Sequence, residues 1–325
     1  MAPGPEDVPT VSVLLVNYNT RDRTAECLRS LQEQRIPGLD VVVVDNGSAD
    51  GSAAALAAAF PEVTVVPSPE NLGFGRAVNL AAERATGEFL LLLNPDTTVR
   101  PGALEALRDH AVLHPGNGLY GGRTLRPDGT LDPSSCWGAP TLWSMVSYAL
   151  GLSTVFRRST FFDPESLGHW QRDTVREVPI VTGCLLLVSR ADFDRLQGMD
   201  PVYFLYGEDA DFSTRAWALG MRPVIVPTAE IIHDNGGASA DKGLKMCMVW
   251  AGRATYLWRN WTTWRARFGV AALQLGALLR SVGERATRRR SRTWTTVWSR
   301  REDWRSGYPI AEETLFGRTT PAEAA

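Results

Sequence analysis

Apolar runs and amphipathic stripes alternate along the first third of the chain. Residues 11–16 form an almost unbroken apolar run rich in β-branched side chains, which predicts a strand buried on both faces. Residues 21–34 place Cys27, Leu28 and Leu31 on one side of a helix. The same reading predicts strands over 40–44, 63–66 and 89–93, and helices over 53–60, 76–85 and 102–113. This βαβα rhythm predicts an α/β fold built on a mostly parallel sheet with flanking helices. In such sheets ligands bind beyond the carboxyl ends of the strands, so the residues that follow each strand matter most.

The pattern then loosens. Residues 121–130 read as a hairpin turning at Pro127-Asp128-Gly129, and 140–156 as a helix with Leu142, Met145, Val146, Ala149 and Leu150 on one side. Residues 157–176 are polar and read as a loop. Residues 178–188 read as a further strand, with a helix starting at Arg190. From residue 242 two helical stripes appear: Leu244, Cys247, Ala251, Ala254, Trp258 and Trp261, then Phe268, Ala271, Leu275, Leu278 and Val282. The chain therefore divides, on this reading, into an α/β domain over 1–240 and a helical C-terminal extension over 241–325.

Composition adds one contrast. At 44% hydrophobic and 22% charged, 325 residues can bury a sizeable core. The formal net charge of -2 conceals a basic region: residues 250–305 hold thirteen Arg against three acids, and seven of the eleven Trp. Arg and Trp interleaved on amphipathic helices suit an anionic membrane surface. The plainer alternative is a helical cap with a solvated basic face. No nucleic-acid motif accompanies the charge, so no nucleic-acid partner is expected. The four cysteines, Cys27, Cys136, Cys184 and Cys247, form no CxxC pair, which speaks against a disulfide framework or zinc site and for reduced thiols. Residues 1–10 lack a signal-peptide pattern, and no apolar stretch is long enough to span a bilayer. The expected location is cytoplasmic, and, on the membrane reading of the tail, peripheral at the inner face of the membrane.

Three predicted strands run into polar turns: Asn17-Tyr18-Asn19, Asp45-Asn46-Gly47-Ser48 and Asn94-Pro95-Asp96. In a parallel sheet all three open on one rim. A carboxylate there can accept from a base or ribose, or hold a metal. Each turn alone can equally be a strand terminator, and Asp96 alone a cap for the helix near Gly102. Asp96 with diphosphate oxygens suffices to seat Mg or Mn, which keep substrate phosphates in their shell. Asn71-Leu72-Gly73-Phe74-Gly75 precedes a helix, and its glycines permit close approach of backbone to phosphate. Glu208, Asp209 and Asp211 stand just before or within another helix start. They read either as dipole-favoured helix-terminal acids or as the source of a general base. His233 ends an apolar run and reads as structural, or as a metal or phosphate ligand.

Taken in order, residues 13–19, Asp45-Asn46-Gly47-Ser48, Asn71 to Gly75, Asn94-Pro95-Asp96, Thr182-Gly183, Gly207 to Asp211 and His233 resemble a family 2 glycosyltransferase, in its rhamnosyltransferase-like branch. The resemblance covers roughly residues 10–240. It implies a GT-A fold, a nucleotide-sugar donor, a divalent metal (Mg or Mn) and inversion at the anomeric carbon. It places Asn17, Asn19, Asp45, Asn71, Gly73, Asn79, Asn94 and Asp96 around the donor, and Thr182 and Gly183 at the acceptor. Asp96 and His233 would hold the metal, and Asp209, with Glu208 as understudy, would be the base. The branch suggests dTDP-L-rhamnose as donor and a carbohydrate or lipid-linked acceptor, in cell-surface polysaccharide or glycolipid assembly. Two positions depart from the common pattern: Asn17 stands where many members have Pro, and Asn94 where many have a first Asp. The second removes one charge from the metal site.

Two other readings compete. A nucleotidyltransferase also sets Asp beside a nucleotide, but carries a Gly-rich basic loop after its first strand, which Asn17-Tyr18-Asn19-Thr20 is not. A non-catalytic nucleotide-sugar-binding protein would explain Asn94, but not the retention of Glu208, Asp209 and His233.

Overall fold

A computed structural model describes residues 9–234, 241–287 and 292–316. Most of the N-terminal acidic stretch, Asn235-Gly236-Gly237 after His233, and Arg288, Arg289 and Arg290 lie outside them. In chain order the elements begin with β1 (Val11–Asn17), α1 (Arg21–Glu33), β2 (Asp40–Asn46), α2 (Ser52–Ala59), β3 (Thr64–Ser68) and α3 (Phe74–Arg84). Next come β4 (Phe89–Leu93), β5 (Thr97–Val99), α4 (Ala103–Leu113), β6 (Leu119–Leu125), β7 (Cys136–Trp137), α5 (Leu142–Ala149) and α6 (Leu152–Val155). They continue with β8 (Arg176–Glu177), β9 (Ile180–Val181), β10 (Leu185–Ser189), α7 (Arg190–Arg195), α8 (Glu208–Ala218) and β11 (Val224–His233). Five helices close the order: α9 (Lys242–Asn260), α10 (Thr263–Ala286), α11 (Thr293–Ser299), α12 (Arg301–Trp304) and α13 (Ile310–Phe316).

The described residues fall into two compact units. The first is drawn from Met1–Trp137, Gln171–Met199 and Phe212–Ala238, and the second from Gly138–Trp170, Asp200–Asp211 and Ser239–Ala325. Helix α8 contributes its first turn to the second unit and the rest to the first.

The first unit is built on a sheet in the order β3-β2-β1-β4-β10-β6-β11-β5, with β8 beside β11. Strands β3, β2, β1 and β4 are mutually parallel, and so are β6 and β11. β10 runs antiparallel between β4 and β6, and β5 antiparallel along β11. Because β1 connects outward to β2 and the chain returns to β4 on its other side, the strand order reverses at β1, which opens a crevice at the carboxyl ends. The core unites Val13, Leu15, Leu91 and Leu93 of the strands with Cys27, Leu28 and Leu31 of α1 and Leu104 and Leu107 of α4. Each such side chain contributes about 1.5–3 kcal/mol on burial, so the apolar runs themselves hold the rim in place. All four cysteines are buried, and none forms a disulfide. Burial pushes the Cys27 thiol up to about 12, so it stays protonated.

Three expected elements differ. The hairpin over 121–130 has its turn, closed by Arg126 and Thr130, but only a single bridge, Leu125 with Leu131. β6 is an interior strand with β10 and β11 on its two edges, so no edge remains for a return strand. The run 178–188 splits into β9 and β10 at Thr182-Gly183-Cys184, because β9 pairs with β7 while β10 enters the main sheet. The helix over 140–156 breaks at Gly151, which is left-handed at φ 75°.

The second unit is helical. Its core gathers Met145 of α5, Tyr203, Trp250, Ala254 and Leu257 of α9, Leu273 and Ala277 of α10, Val297, Trp304 and Tyr308. Trp304 is fully buried and donates its indole N–H to the Val297 carbonyl at 2.8 Å. Arg253 Nη2 donates to both oxygens of Glu165, at 3.0 and 2.9 Å. The tryptophans thus sort by place: Trp250 and Trp304 build the core, while Trp258 and Trp264 face solvent. The first helical stripe is buried through Cys247, Ala251 and Ala254. The second is not: α10 buries Ala266, Val270, Leu273 and Ala277, and leaves Phe268, Leu275 and Val282 exposed. Both faces of α10 are apolar, so periodicity alone could not choose between them.

Candidate functional site

The register of β1 against β2 sets Asn17 opposite Asp45 at the carboxyl rim. Asn17 is fully buried and its amide is saturated. It donates to Asp45 Oδ1 at 2.6 Å and Ser48 Oγ at 3.1 Å, and accepts from the hydroxyls of Thr20 and Thr24 at 2.9 and 2.7 Å. Asn17 therefore braces the rim from beneath, and Asp45 is held in place by it. Asn19, exposed and left-handed at φ 53°, receives Ala49 N–H at 2.8 Å and donates its own N–H to Ser48 Oγ at 2.9 Å. Asn tolerates that backbone better than other non-glycine residues.

Asn46 ties the next loop to this rim. Its amide donates to Asn71 Oδ1 and to the Gly73 carbonyl, and its carbonyl oxygen accepts Leu72 N–H at 2.7 Å. Asn71 and Gly73 thus shape the entry to α3, with Gly73 as its N-cap. Gly47 has φ 76°, and a Cβ there would stand 2.6 Å from the Glu70 backbone, so only glycine fits where the two loops touch.

Asp96 sits in the turn from β4 to β5. The cap of α4 is Gly102, so Asp96 does not serve that helix. β5 pairs with β11 so that Thr97 lies opposite His233, and the Asp234 N–H reaches the Asp96 carbonyl at 3.2 Å. This pairing brings together two side chains 137 residues apart: His233 Nε2 lies 3.1 Å from Asp96 Oδ1. Asn94 Nδ2 is 3.5 Å from the same nitrogen. His233 is buried, and its Nδ1 has no hydrogen-bond partner among the described residues; Asp132 Oδ2 lies 3.8 Å from it.

This arrangement fits a divalent ion. Asp96 Oδ1 and His233 Nε2, 3.1 Å apart, would offer a divalent ion one oxygen and one nitrogen ligand. A ring that offers Nε2 must carry its proton on Nδ1, the atom that faces the Asp132 carboxylate. Among the described residues no group of three or more His, Cys, Asp or Glu side chains is arranged to hold a metal, so oxygens of a bound diphosphate would complete the shell.

Thr182 and Gly183 lie in the break between β9 and β10. Thr182 Oγ1 donates to the Ser134 carbonyl at 2.7 Å, and a Cβ on Gly183 would press on the Phe74 ring at 3.1 Å. Asn79 is spent on the backbone of Met199, donating to its carbonyl at 2.8 Å and accepting its N–H at 2.9 Å.

In the second unit the chain enters α8 through Tyr206 and Gly207, at φ 67° and 94°. Gly252 of α9 packs on them so closely that a Cβ on Gly207 would lie 2.8 Å from the Gly252 carbonyl oxygen. Left-handed turns of this kind cluster at functional sites. The acids behind the turn have different environments. Asp211 is buried and accepts from Asn260 Nδ2 at 3.2 Å. Asp209 is half-buried, with Oδ1 accepting the Ala210 N–H at 2.8 Å. Glu208 is buried and its Oε2 has no hydrogen-bond partner among the described residues. Burial and then the neighbouring Asp209 charge push its carboxyl up to about 8.

A carboxyl raised in the folded state favours folding at low pH. Its contribution is complete below the ordinary Glu range and is lost as pH rises from there through about 8. Glu208→Gln, which cannot ionise, is expected to melt roughly 2–4 °C above the wild type at alkaline pH and level with it under acid conditions. Thermal melts at the two extremes check this, and a difference that does not change with pH would count against a neutral buried Glu208.

Three contributors escape sequence reasoning. Ser48 bridges Asn17 and Asn19; it stands in the Asp45-Asn46-Gly47-Ser48 turn, but its role depends on where β1 ends. Arg23, on the first turn of α1, stands 3.9 Å from Asp96 Oδ2 and 3.3 Å from Asp234 Oδ2. Asp132 follows the Pro127-Asp128-Gly129 turn and reaches His233 only through the fold. The cation just after the Asn17-Tyr18-Asn19 turn was a usable signal for Arg23; none existed for Asp132.

Residues 12–166 match the family model described as glycosyl transferase family 2, and residues 172–234 that described as the N-terminal domain of galactosyltransferase. The chain is 29% identical over 304 residues to the N-acetylglucosaminyl-diphospho-decaprenol L-rhamnosyltransferase of Mycobacterium tuberculosis, covering 86% of this chain and 95% of that one. It is 26% identical to the O-antigen biosynthesis protein RfbC of Myxococcus xanthus, over 78% of this chain and 19% of that one. Among solved structures it resembles the mannosyltransferase PcManGT of Pyrobaculum calidifontis in complex with GDP-Man and Mn2+, with TM-score 0.54, 21% identity, and 98% and 90% of the two chains covered. It also resembles GalNAc-T7 with UDP, GalNAc and Mn2+, with TM-score 0.58, 15% identity, and 94% and 59% covered.

Proposed function

We propose that this chain, whose residues 12–166 match the glycosyl transferase family 2 model and whose fold is GT-A, is a family 2 glycosyltransferase that transfers L-rhamnose from dTDP-rhamnose to a hydroxyl of a lipid-linked sugar, with inversion, in the assembly of a cell-surface polysaccharide. The observation that carries the reading is the Asp96–His233 pair on the rim that Asp45 shares. A nucleoside diphosphate needs a place for its phosphates beside a place for its base, and this rim offers both. The sugar and the acceptor rest on the likeness to the mycobacterial rhamnosyltransferase, which spans nearly all of that enzyme.

Asp45 accepts from the base, while Asn17 keeps its carboxylate oriented. Asn19, Asn71, Gly73 and Asn79 set the loops around the donor, and Asn94 stands beside His233. Asp96 and His233 would hold a divalent ion, Mg or Mn, and such an ion would supply positive charge beside the diphosphate. Arg23 adds a fixed cation beside Asp96. Thr182 and Gly183 line the acceptor side. Asp209 takes the proton of the acceptor hydroxyl as its oxygen bonds to the anomeric carbon, and the bond from that carbon to the diphosphate breaks on the opposite face. Burial, and then the adjacent Asp209 charge, disfavour an ionised Glu208, which leaves Asp209 the better placed proton acceptor. A lipid-linked acceptor places the reaction at the inner face of the membrane. Among the described residues no helix is long and apolar enough to cross one.

The test is a panel of dTDP-rhamnose, UDP-N-acetylglucosamine and GDP-mannose, assayed for nucleoside diphosphate release with Mn2+, Mg2+ or chelator. Slow release from dTDP-rhamnose alone, dependent on a divalent ion, is the expected result. Release from none of the three, or pyrophosphate formed from a nucleoside triphosphate and a sugar phosphate, would sink the proposal.

A further inference from the structure

The exposed face of α10 is apolar for most of its length. Trp264, Phe268, Leu275, Leu279 and Val282 are 63%, 42%, 43%, 47% and 55% exposed. At 3.6 residues per turn they form one stripe, about 27 Å long, on the side opposite the buried Ala266, Val270, Leu273 and Ala277. A soluble monomer rarely leaves so continuous a stripe to water.

The margins of the stripe are cationic. Arg267 and Arg285, both exposed, fall on one margin, and Arg265, stacked 4.9 Å over Trp261, falls on the other. The sole acid of α10, Glu284, lies on the far side, where its carboxylate accepts the N–H groups of Trp294 and Thr295 at 3.1 and 2.9 Å. Arg280 does not belong to the margin either: it donates to the Tyr148 carbonyl and Thr154 Oγ1. In sequence the helix leads on to Arg288, Arg289 and Arg290.

This charge pattern selects the occupant. A second copy would pair α10 with itself across a two-fold axis. Antiparallel pairing sets Arg267 against Arg285, and parallel pairing sets that margin against Arg265, so cation meets cation in both. An anionic bilayer supplies the two things the face lacks, hydrocarbon for the stripe and negative charge for its margins. We propose that α10 lies in the interfacial plane of an anionic membrane, its Trp264–Val282 stripe in the acyl boundary and Arg267 and Arg285 among the lipid phosphates. This deepens the reading of a lipid-linked acceptor, and it is testable without any sugar transfer.

The full chain is sedimented with vesicles of phosphatidylcholine, pure or mixed with phosphatidylglycerol. The expected result is salt-sensitive binding to the mixed vesicles and weak binding to pure phosphatidylcholine. Phe268→Ser with Leu275→Ser and Leu279→Ser is expected to lower partitioning about tenfold or more. Arg267→Glu with Arg285→Glu, at two exposed positions, is expected to lower it at least about tenfold at low salt. Both variants should keep the parental melting temperature and nucleotide-sugar hydrolysis in water, so a failure of docking is distinguishable from a failure of the proposed transfer. A parent that stays in the supernatant overturns the proposal, as does a charge-reversed chain that binds like the parent. So does a lipid-free dimer that the serine variant abolishes, because the stripe would then belong to a second copy.

Discussion

Asp209→Asn is expected to slow transfer to the acceptor by about 10²–10⁴-fold, the usual worth of a positioned general base, and to leave the donor KM nearly unchanged. The substitution is close to isosteric. An asparagine Oδ1 can still accept the Ala210 N–H that Asp209 now accepts, so the start of α8 should persist. What disappears is the ability to take a proton. The neighbouring acids are poorly placed to compensate. Asp211 is buried against Asn260, and Glu208 is buried with a carboxyl pushed up to about 8. Burial disfavours the ionised form of Glu208, so Glu208→Gln should cost far less rate than Asp209→Asn at neutral pH. The check is kcat and KM for transfer, measured for both variants beside the wild type. Equal losses from the two, or an undiminished rate in Asp209→Asn, would remove Asp209 from the role.

The second large effect is expected at Asp96. Asp96→Asn should reduce transfer by about 10²-fold or more, the scale on which a lost charge-stabilising group acts. It should weaken Mn2+ binding in the presence of dTDP in parallel. With Asn94 beside it, Asp96 is the one carboxylate of that turn, and His233 Nε2 at 3.1 Å is its nearest helper. Few ligands make each one costly to lose. His233→Ala should therefore weaken Mn2+ binding too, and chelation should abolish transfer by the wild type. Mn2+ binding followed by paramagnetic resonance separates this from a general loss of activity. Unchanged affinity in Asp96→Asn, together with indifference to chelator, would rule out the site.

Much of the rim was legible in the chain. The apolar runs of β1, β2 and β4 fall close to where they were expected, because strands buried on both faces leave a continuous signature. Parallel pairing then follows from the intervening helices, and with it the common rim of Asn17, Asp45 and Asn94. What those residues do there was less legible. Asn17 reads as a nucleotide contact in sequence, but its amide is consumed by Asp45, Ser48, Thr20 and Thr24, so it acts through its neighbours. The three acids of residues 208–211 look alike in sequence and differ only in burial and partners.

Local pattern marked out the main strands and helices around the rim and the order of the motifs, and put Asp96, His233 and the acids of residues 208–211 forward as candidates, because each depends on short-range periodicity or on residue chemistry; the resemblance then singled out Asp209. Only the tertiary structure decided that β5 pairs with β11, which sets His233 on Asp96 across 137 residues of chain, and that Asp132 stands behind that ring. It also decided which of two apolar faces of α10 is buried. Strand partners and the covering of a face are settled by competition among distant segments for the same edge or surface, and no local pattern records who wins.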